Sequence, residues 1–389
     1  MILKRSFKIC FFINPVAGIG GEPGLKGSDY VDIKKLISEG YRFTSYDKAR
    51  RFLESLDKDV FKNVIMITPQ DPMGCSIVKS FQNIFQEVRC VSLEKELVDG
   101  LTTKDHTIEF VEKHSRECEI IVFVGGDGTA RDVSEALKRS GHEDMLVLGI
   151  PAGVKVYSGI FAISPEMSAY VLTSYIKDEA TVVKRPVIDA DENSLREGSL
   201  NIRFFGELNT IFVQGLIQDV KSSTTYADLD YEGVAKYLDE IMSENKETLY
   251  LIGPGGTLKK IFEYLSIEKT AFGVDALYNK KIIGKDLSSK EIKDLVKKFE
   301  KIKIILTPIG GTKFLIGRGN QQITPEIWKR VSRENLIIVT SLSKIGKDYK
   351  LYIDTGDKNV DLMLKGFVKA LIGYREEIII RLVPSWLSE

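Results

Sequence analysis

Ten residues, Ile120 to Thr129, constrain this chain more than any other stretch. Ile120-Ile121-Val122-Phe123-Val124 is an unbroken apolar run, partly β-branched, and reads as a buried strand. Gly125-Gly126-Asp127-Gly128-Thr129 follows. A helical pattern begins at once, with Ala130, Val133, Ala136 and Leu137 on one face. The glycines let backbone approach a ligand closely. The helix start offers unsatisfied N–H groups and a partial positive charge, which suit phosphate. A carboxylate in such an anion site is out of place unless it has a task. Asp127 can take a proton from an attacking hydroxyl, or hold a metal that bridges phosphates. The competing reading is a tight βα turn in which Asp127 caps the helix. These ten residues leave both open.

The flanking chain alternates strand and helix. Strands are predicted at 8–13, 63–67, 88–93, 120–124 and 146–150, with helices at 46–56, 75–85 and 103–118. That order predicts a doubly wound parallel sheet, an α/β fold. Ligands of such sheets sit at the carboxyl ends of the strands, and two more glycine-bearing loops fall there. Asn14-Pro15-Val16-Ala17-Gly18-Ile19-Gly20 follows the first strand and reads either as a second nucleotide loop or as a flexible connection. Pro151 to Gly159 follows the fifth. Within it Gly153 lets backbone approach, and Lys155 is either a point charge for phosphate or a solvated lysine.

Near residue 180 the grammar changes. Segments 181–188, 200–205 and 210–213 are β-prone, and no helix is expected between about 178 and 215. The expected organisation is a nucleotide-binding α/β domain over 1–180 and a β-rich domain over 181–389, the latter carrying a second α/β insertion at about 220–360. Inside that insertion, Gly253-Pro254-Gly255-Gly256-Thr257 is another strand-to-helix turn. Gly255, Gly256 and Thr257 read as an anion site or as simple helix capping. Arg318, in Gly317-Arg318-Gly319-Asn320-Gln321-Gln322, can fork onto a phosphate while Asn320 braces the loop.

Composition narrows the partners. Lys and Arg total 55, as do Asp and Glu, so the chain is neutral, which argues against a nucleic-acid binder or a protein held on anionic lipid. No apolar run reaches membrane-spanning length. The four cysteines, Cys10, Cys75, Cys90 and Cys118, show no metal spacing and read as small core residues in a reduced compartment. His106, His114 and His142 form no metal motif and read as helix or loop surface. A cytoplasmic location is expected, with small-molecule nucleotides and further copies of this chain as partners.

Asn-Pro-x-Ala-Gly-x-Gly, GGDGT about 110 residues on, and a glycine loop after the next strand form a joint pattern. It resembles the superfamily of NAD kinases, diacylglycerol and sphingosine kinases, and phosphofructokinases. Finer features resemble the ATP-NAD kinases of the AcoX type: GLKGSD at 24–29, GGDGTARDV at 125–133, IPAGVKVYSG at 150–159, then GPGGT, PIGG, IGRGNQQ and DTGD. The resemblance implies an NAD kinase that uses ATP, or inorganic polyphosphate, with Mg²⁺ offsetting phosphate charge. Asp127 would draw the proton from the adenosine ribose 2′-hydroxyl of NAD. Gly125, Gly126, Gly128 and Thr129 would cradle phosphates, and Asn14, Gly18 and Gly20 would border the nucleotide. One departure stands out. Ordinary NAD kinases carry an Asn-acid pair in the β-rich region that reads NAD, and the nearest candidate here is Asn209-Thr210, with no acid. A kinase of another hydroxyl compound, or a nucleotide-binding accessory protein without turnover, are the alternatives.

Overall fold

The computed structural model describes residues 6–24, 33–41, 43–98, 100–152, 156–190, 202–213, 229–309, 312–346 and 348–387. The chain forms two compact units: residues 1–19, 27–191 and 201–220 make the first, and 20–26, 192–200 and 221–389 the second.

The first unit is a seven-stranded sheet. Its strands are β1 (Phe7–Ile13), β2 (Val64–Pro69), β3 (Glu87–Val91), β4 (Ile120–Gly125), β5 (Leu146–Pro151), β6 (Thr181–Ala190) and β7 (Ile202–Phe212), in the order β3-β2-β1-β4-β5-β7-β6. The first five strands of that order are mutually parallel. Strands β4 and β5 are covered on both faces, so their runs are continuously apolar. Ile120, Val122 and Val124 enter one core with Ile9, Phe11 and Ile13. Ile121 and Phe123 enter the opposite core with Cys10 and Phe12. The period of two thus sends one strand into both layers. Helices α1 (Ser45–Glu54) and α4 (Pro165–Ile176) pack together, as do α2 (Lys104–His114) and α3 (Asp127–Arg139).

The first sheet continues past residue 180. β6 and β7 form an antiparallel hairpin that continues the first sheet, with Asn209 of β7 beside Leu146 of β5. The physical reason is the edge: β5 is wholly buried, and without β7 its backbone would face solvent. The two short strands expected at 200–205 and 210–213 are one strand. It carries Gly206 at φ +130°, and the hairpin register shifts opposite, between Val187 and Ile188. Beyond that point the hairpin runs along α3: the carbonyl of Phe205 accepts from Lys138 Nζ at 2.7 Å.

The second unit is built on one nine-stranded mixed sheet. Its elements are α5 (Tyr231–Glu244), β8 (Leu249–Ile252), α6 (Gly256–Tyr264), β9 (Asp275–Tyr278), β10 (Lys281–Gly284), α7 (Ser289–Lys298), β11 (Ile302–Leu306), β12 (Phe314–Ile316), α8 (Pro325–Val331), β13 (Leu336–Val339), β14 (Lys350–Ile353), α9 (Lys358–Leu364), β15 (Gly366–Gly373) and β16 (Glu376–Pro384). The strand order is β10-β9-β8-β11-β13-β15-β16-β14-β12. The final hairpin, β15–β16, lies inside this sheet.

Two side-chain expectations fail. The cysteines pair as Cys10–Cys118 and Cys75–Cys90, with Cα atoms 5.7 and 5.6 Å apart. Cys10 lies on β1 and Cys118 just ahead of β4, while Cys90 lies on β3 and Cys75 starts a short helix after β2, so the fold brings each pair together across a gap that spacing rules do not read. His106 is buried, not a surface residue; its Nδ1 accepts from the backbone amide of Thr103 at 3.1 Å and completes a capping box at the start of α2. None of the described helices is long and apolar enough to cross a membrane.

Candidate functional site

Three loops of the first unit meet at the carboxyl ends of β1, β4 and β5. The loop after β1 is pinned by Asn14. Its amide nitrogen donates to the carbonyl of Val124 at 2.9 Å, and its side chain donates to Thr129 Oγ1, also at 2.9 Å. Gly18 closes on the loop after β5. A Cβ built on Gly18 would lie 2.1 Å from the carbonyl oxygen of Ala152, and its φ of +80° suits glycine alone. Gly125 is equally confined, because a Cβ there would sit 2.5 Å from Thr129 Oγ1. Gly125 and Gly18 are therefore bare by necessity, which leaves their backbone open to a phosphate.

Asp127 does not cap the helix. Gly126 holds the N-cap position of α3 and makes no side-chain cap bond; Asp127 is the first helical residue. Its carboxylate instead crosses to the loop after β5. Oδ2 accepts from the amide of Tyr157 at 2.6 Å, and Oδ1 from the amide of Ser158 at 2.9 Å. Burial pushes its pKa up to about 7, the bonds from Ser158 and Tyr157 oppose that rise, and the negative charge of Asp189 adds to it. A carboxylate that titrates near neutrality in a glycine-lined site is suited to proton transfer.

Strand β6 holds this arrangement from behind. Ser158 is fully buried; its Oγ donates to the carbonyl of Ile188 at 2.8 Å and accepts from the amide of Ile188 at 3.1 Å. The amide of Gly159 donates to the carbonyl of Pro186 at 3.0 Å. One residue past Ile188, Asp189 accepts from Arg131 at 2.9 Å. Arg131 also lies 3.4 Å from Asp132, a buried carboxylate whose pKa rises to about 6 through loss of solvent. Sequence reading missed Tyr157, Ser158, Arg131 and Asp189 as site residues. The only signal was their membership of GGDGTARDV, IPAGVKVYSG and the β-prone run at 181–188, which Asp189 directly follows.

The remaining candidates scatter. Gly153 and Lys155 lie outside the described residues, as do Leu25 to Asp29 of GLKGSD and both glycines of PIGG. Gly20 belongs to the second unit, not to the first with Asn14 and Gly18. Gly255, Gly256 and Thr257 also lie in the second unit, at the carboxyl end of β8, where Gly255 has φ +132°. There Lys344 Nζ donates to Thr257 Oγ1 at 2.6 Å and to Thr307 Oγ1 at 3.1 Å. Arg318 is buried with its guanidinium 4.6 Å from the centre of the Phe314 ring, and Asn320 does brace its loop through the amide of Gly317. Asn209 donates to the carbonyl of Asp144 and pairs with Leu146, the first residue of β5, so it stands at the amino end of β5, whereas Asp127 follows the carboxyl end of β4. Among the described residues no group of three or more His, Cys, Asp or Glu side chains is arranged to hold a metal ion.

Two family models match the chain, one in each unit. The model of the ATP-NAD kinase N-terminal domain matches residues 33–180, and that of the ATP-NAD kinase C-terminal domain matches residues 245–382. The chain belongs to the ATP-NAD kinase family. No curated protein matches this ATP-NAD kinase family member. Among solved structures it is similar to a diacylglycerol kinase from Bacillus anthracis str. Sterne, at 14% identity over 49% of each chain and a TM-score of 0.23. A UDP-N-acetylglucosamine 2-epimerase is similar at 9% identity over 89% of this chain and 87% of the other, with a TM-score of 0.24. The family member thus spans about half the length of the diacylglycerol kinase, and at these TM-scores neither likeness carries an argument.

Proposed function

We propose that this protein phosphorylates the 2′-hydroxyl of the adenosine ribose of NAD, taking the phosphoryl group from ATP or polyphosphate, with Asp127 as general base. The observation that carries the reading is the buried carboxylate of Asp127 at the start of α3, titrating near 7 two residues from Gly125, which cannot bear a side chain. In the step, the hydroxyl proton passes to Asp127, the ribose oxygen bonds to the terminal phosphorus, and the bond to the leaving phosphate oxygen breaks. Gly125, Gly126, Gly128 and Thr129 receive phosphate oxygens, and Asn14 fixes Thr129. Phosphoryl transfer depends mostly on positioning and charge neutralisation, which these residues supply. Mg²⁺, held chiefly by phosphate oxygens and waters as is usual for that ion, would neutralise charge developing on the transferred group. In the second unit, Gly255, Gly256 and Thr257 with Lys344 are read as binding a phosphate group of a nucleotide.

A second reading, phosphorylation of another small hydroxyl compound, has one observation in its favour. Asn209, the nearest match to the residues that read NAD in ordinary NAD kinases, stands level with the amino end of β5, away from the carboxyl end where Asp127 lies. The deciding experiment is purified protein with NAD, ATP or polyphosphate, and Mg²⁺, assayed for NADP. Wild type is expected to form NADP. Asp127→Asn should lose on the order of 10²–10⁴ in rate with its fold retained. Wild type that forms no NADP with either donor overturns the acceptor, and fully active Asp127→Asn overturns the mechanism.

A further inference from the structure

We infer that Arg131 and Asp189 are positioning residues for Asp127: the ion pair ties β6 to α3, and β6 in turn holds the loop that grips the Asp127 carboxylate. The inference deepens the reading of Asp127 as general base and rests on it.

The geometry runs through three links. Asp127 is held by the amides of Tyr157 and Ser158 at 2.6 and 2.9 Å. Ser158 is held by both backbone groups of Ile188, and Gly159 by Pro186, so residues 186–188 of β6 form the wall behind that loop. That stretch includes the register shift between Val187 and Ile188, where regular pairing alone does not fix the strand. The Arg131–Asp189 bond, 2.9 Å long and adjacent to Ile188, supplies the missing anchor. Arg131 is itself steadied by Asp132 at 3.4 Å and by the Phe205 ring, whose centre lies 5.8 Å from the guanidinium carbon.

The same pair adjusts the charge that Asp127 meets. Asp189 on β6 and Tyr157 on the loop after β5 interact electrostatically with Asp127, and Arg131 and Asp132 follow it about one turn along α3. Asp189 acts on Asp127 as a like charge and raises its pKa; Arg131 offsets Asp189. Tyr157 keeps its proton, because burial lifts its phenol well above the ordinary value. Asp132 lies beside Arg131, which holds its carboxyl down against the effect of burial. The pair therefore fixes both where the carboxylate lies and the pH at which it accepts a proton.

The test uses opposite charge changes that break one bond. Full-length protein labelled with ¹³C at aspartate carboxyls is titrated from about pH 5 to 9 in wild type, Asp189→Asn and Arg131→Gln, with the Asp127 signal identified by its loss in Asp127→Asn. Asp189→Asn should lower the Asp127 midpoint by about one pH unit, and Arg131→Gln should raise it by about one. Arg131→Lys should return it toward wild type. Both variants sever the same ion pair, so a merely structural role would weaken both folds and move both midpoints the same way or not at all; that result overturns the inference. The acid limb of kcat should follow the NMR midpoints, with KM for ATP held within about twofold. If the midpoints split but wild type makes no NADP, the pair stands and NAD as acceptor falls. If NADP forms and the midpoints do not split, the pair falls and the kinase reading stands.

Discussion

Asn14 donates from its side chain to the hydroxyl of Thr129, 2.9 Å away and 115 residues along the chain. The bond joins the loop after β1 to the first turn of α3. Thr129 is buried, so removing its hydroxyl leaves the Asn14 amide without that acceptor. Thr129→Val is expected to cost about 1–3 kcal/mol in urea unfolding and to raise KM for ATP. Thr129→Ser keeps the oxygen and should stay near wild type in both. Equal KM values in all three proteins would detach Asn14 from nucleotide binding.

Gly18 tests how close the loops must come. Its φ of +80° would strain any side chain, and a Cβ would also strike the carbonyl of Ala152 and lie 2.4 Å from Thr44 Oγ1. Gly141 is the natural control: its φ is +66°, yet a Cβ there meets nothing within 4 Å. Gly141→Ala should therefore cost only the backbone strain, about 1–2 kcal/mol. Gly18→Ala adds overpacking of about 1–3 kcal/mol more. Thermal unfolding of the two variants side by side measures the difference, and similar melting temperatures would show that the loops are looser than these distances.

The titration of Asp127 sets two pH dependences. As a base it works without its proton, so the rate should rise with pH through about 7 and then level off. Stability runs the other way. An unfolded aspartate loses its proton near 3.8, whereas the buried one keeps it to about 7. Between those values the folded state binds the extra proton, so this group makes the protein less stable as pH rises through that window. Asp127→Asn has no such proton, and its melting temperature should fall less than that of wild type between about pH 4 and 7. Parallel curves for the two proteins would mean that Asp127 titrates like an exposed carboxylate.

The parts legible in the sequence were those that local pattern controls. Ile120 to Val124 reads as a buried strand because both of its faces are apolar, and the glycine turn after it marks the site. Pro325 after Thr324 gives the start of α8, and the structure agrees. What escaped depends on partners distant in sequence. Asp189 becomes a site residue only because the hairpin runs back along α3 past Gly206, and nothing near Asp189 in the sequence specifies that path. Strands β10 and β12 are four and three residues long, too short for a period to register. Asn209 was matched by residue type, yet its register beside Leu146 puts it at the wrong end of the sheet.

The disulfides supply the last prediction, and loop length sets its magnitudes. Cys75–Cys90 closes a span of 15 residues and Cys10–Cys118 one of 108. In the chain-entropy picture, a bridge restricts the unfolded state more as its loop grows, giving about 3 kcal/mol for the shorter and about 4.7 kcal/mol for the longer. Cys10 lies on β1, and Cys118 just ahead of β4, so the longer bridge joins neighbouring central strands. Those strands are already pinned by parallel pairing, so the bridge acts almost wholly on the unfolded chain. Replacing Cys10 and Cys118 by Ser should therefore lower stability more than replacing Cys75 and Cys90, with NADP formation unchanged in the first pair at temperatures where it stays folded. Urea unfolding with and without reductant measures both costs. Mass spectrometry after alkylation without reductant checks the premise: four labelled cysteines would rule out both bridges, and none would be labelled if they form.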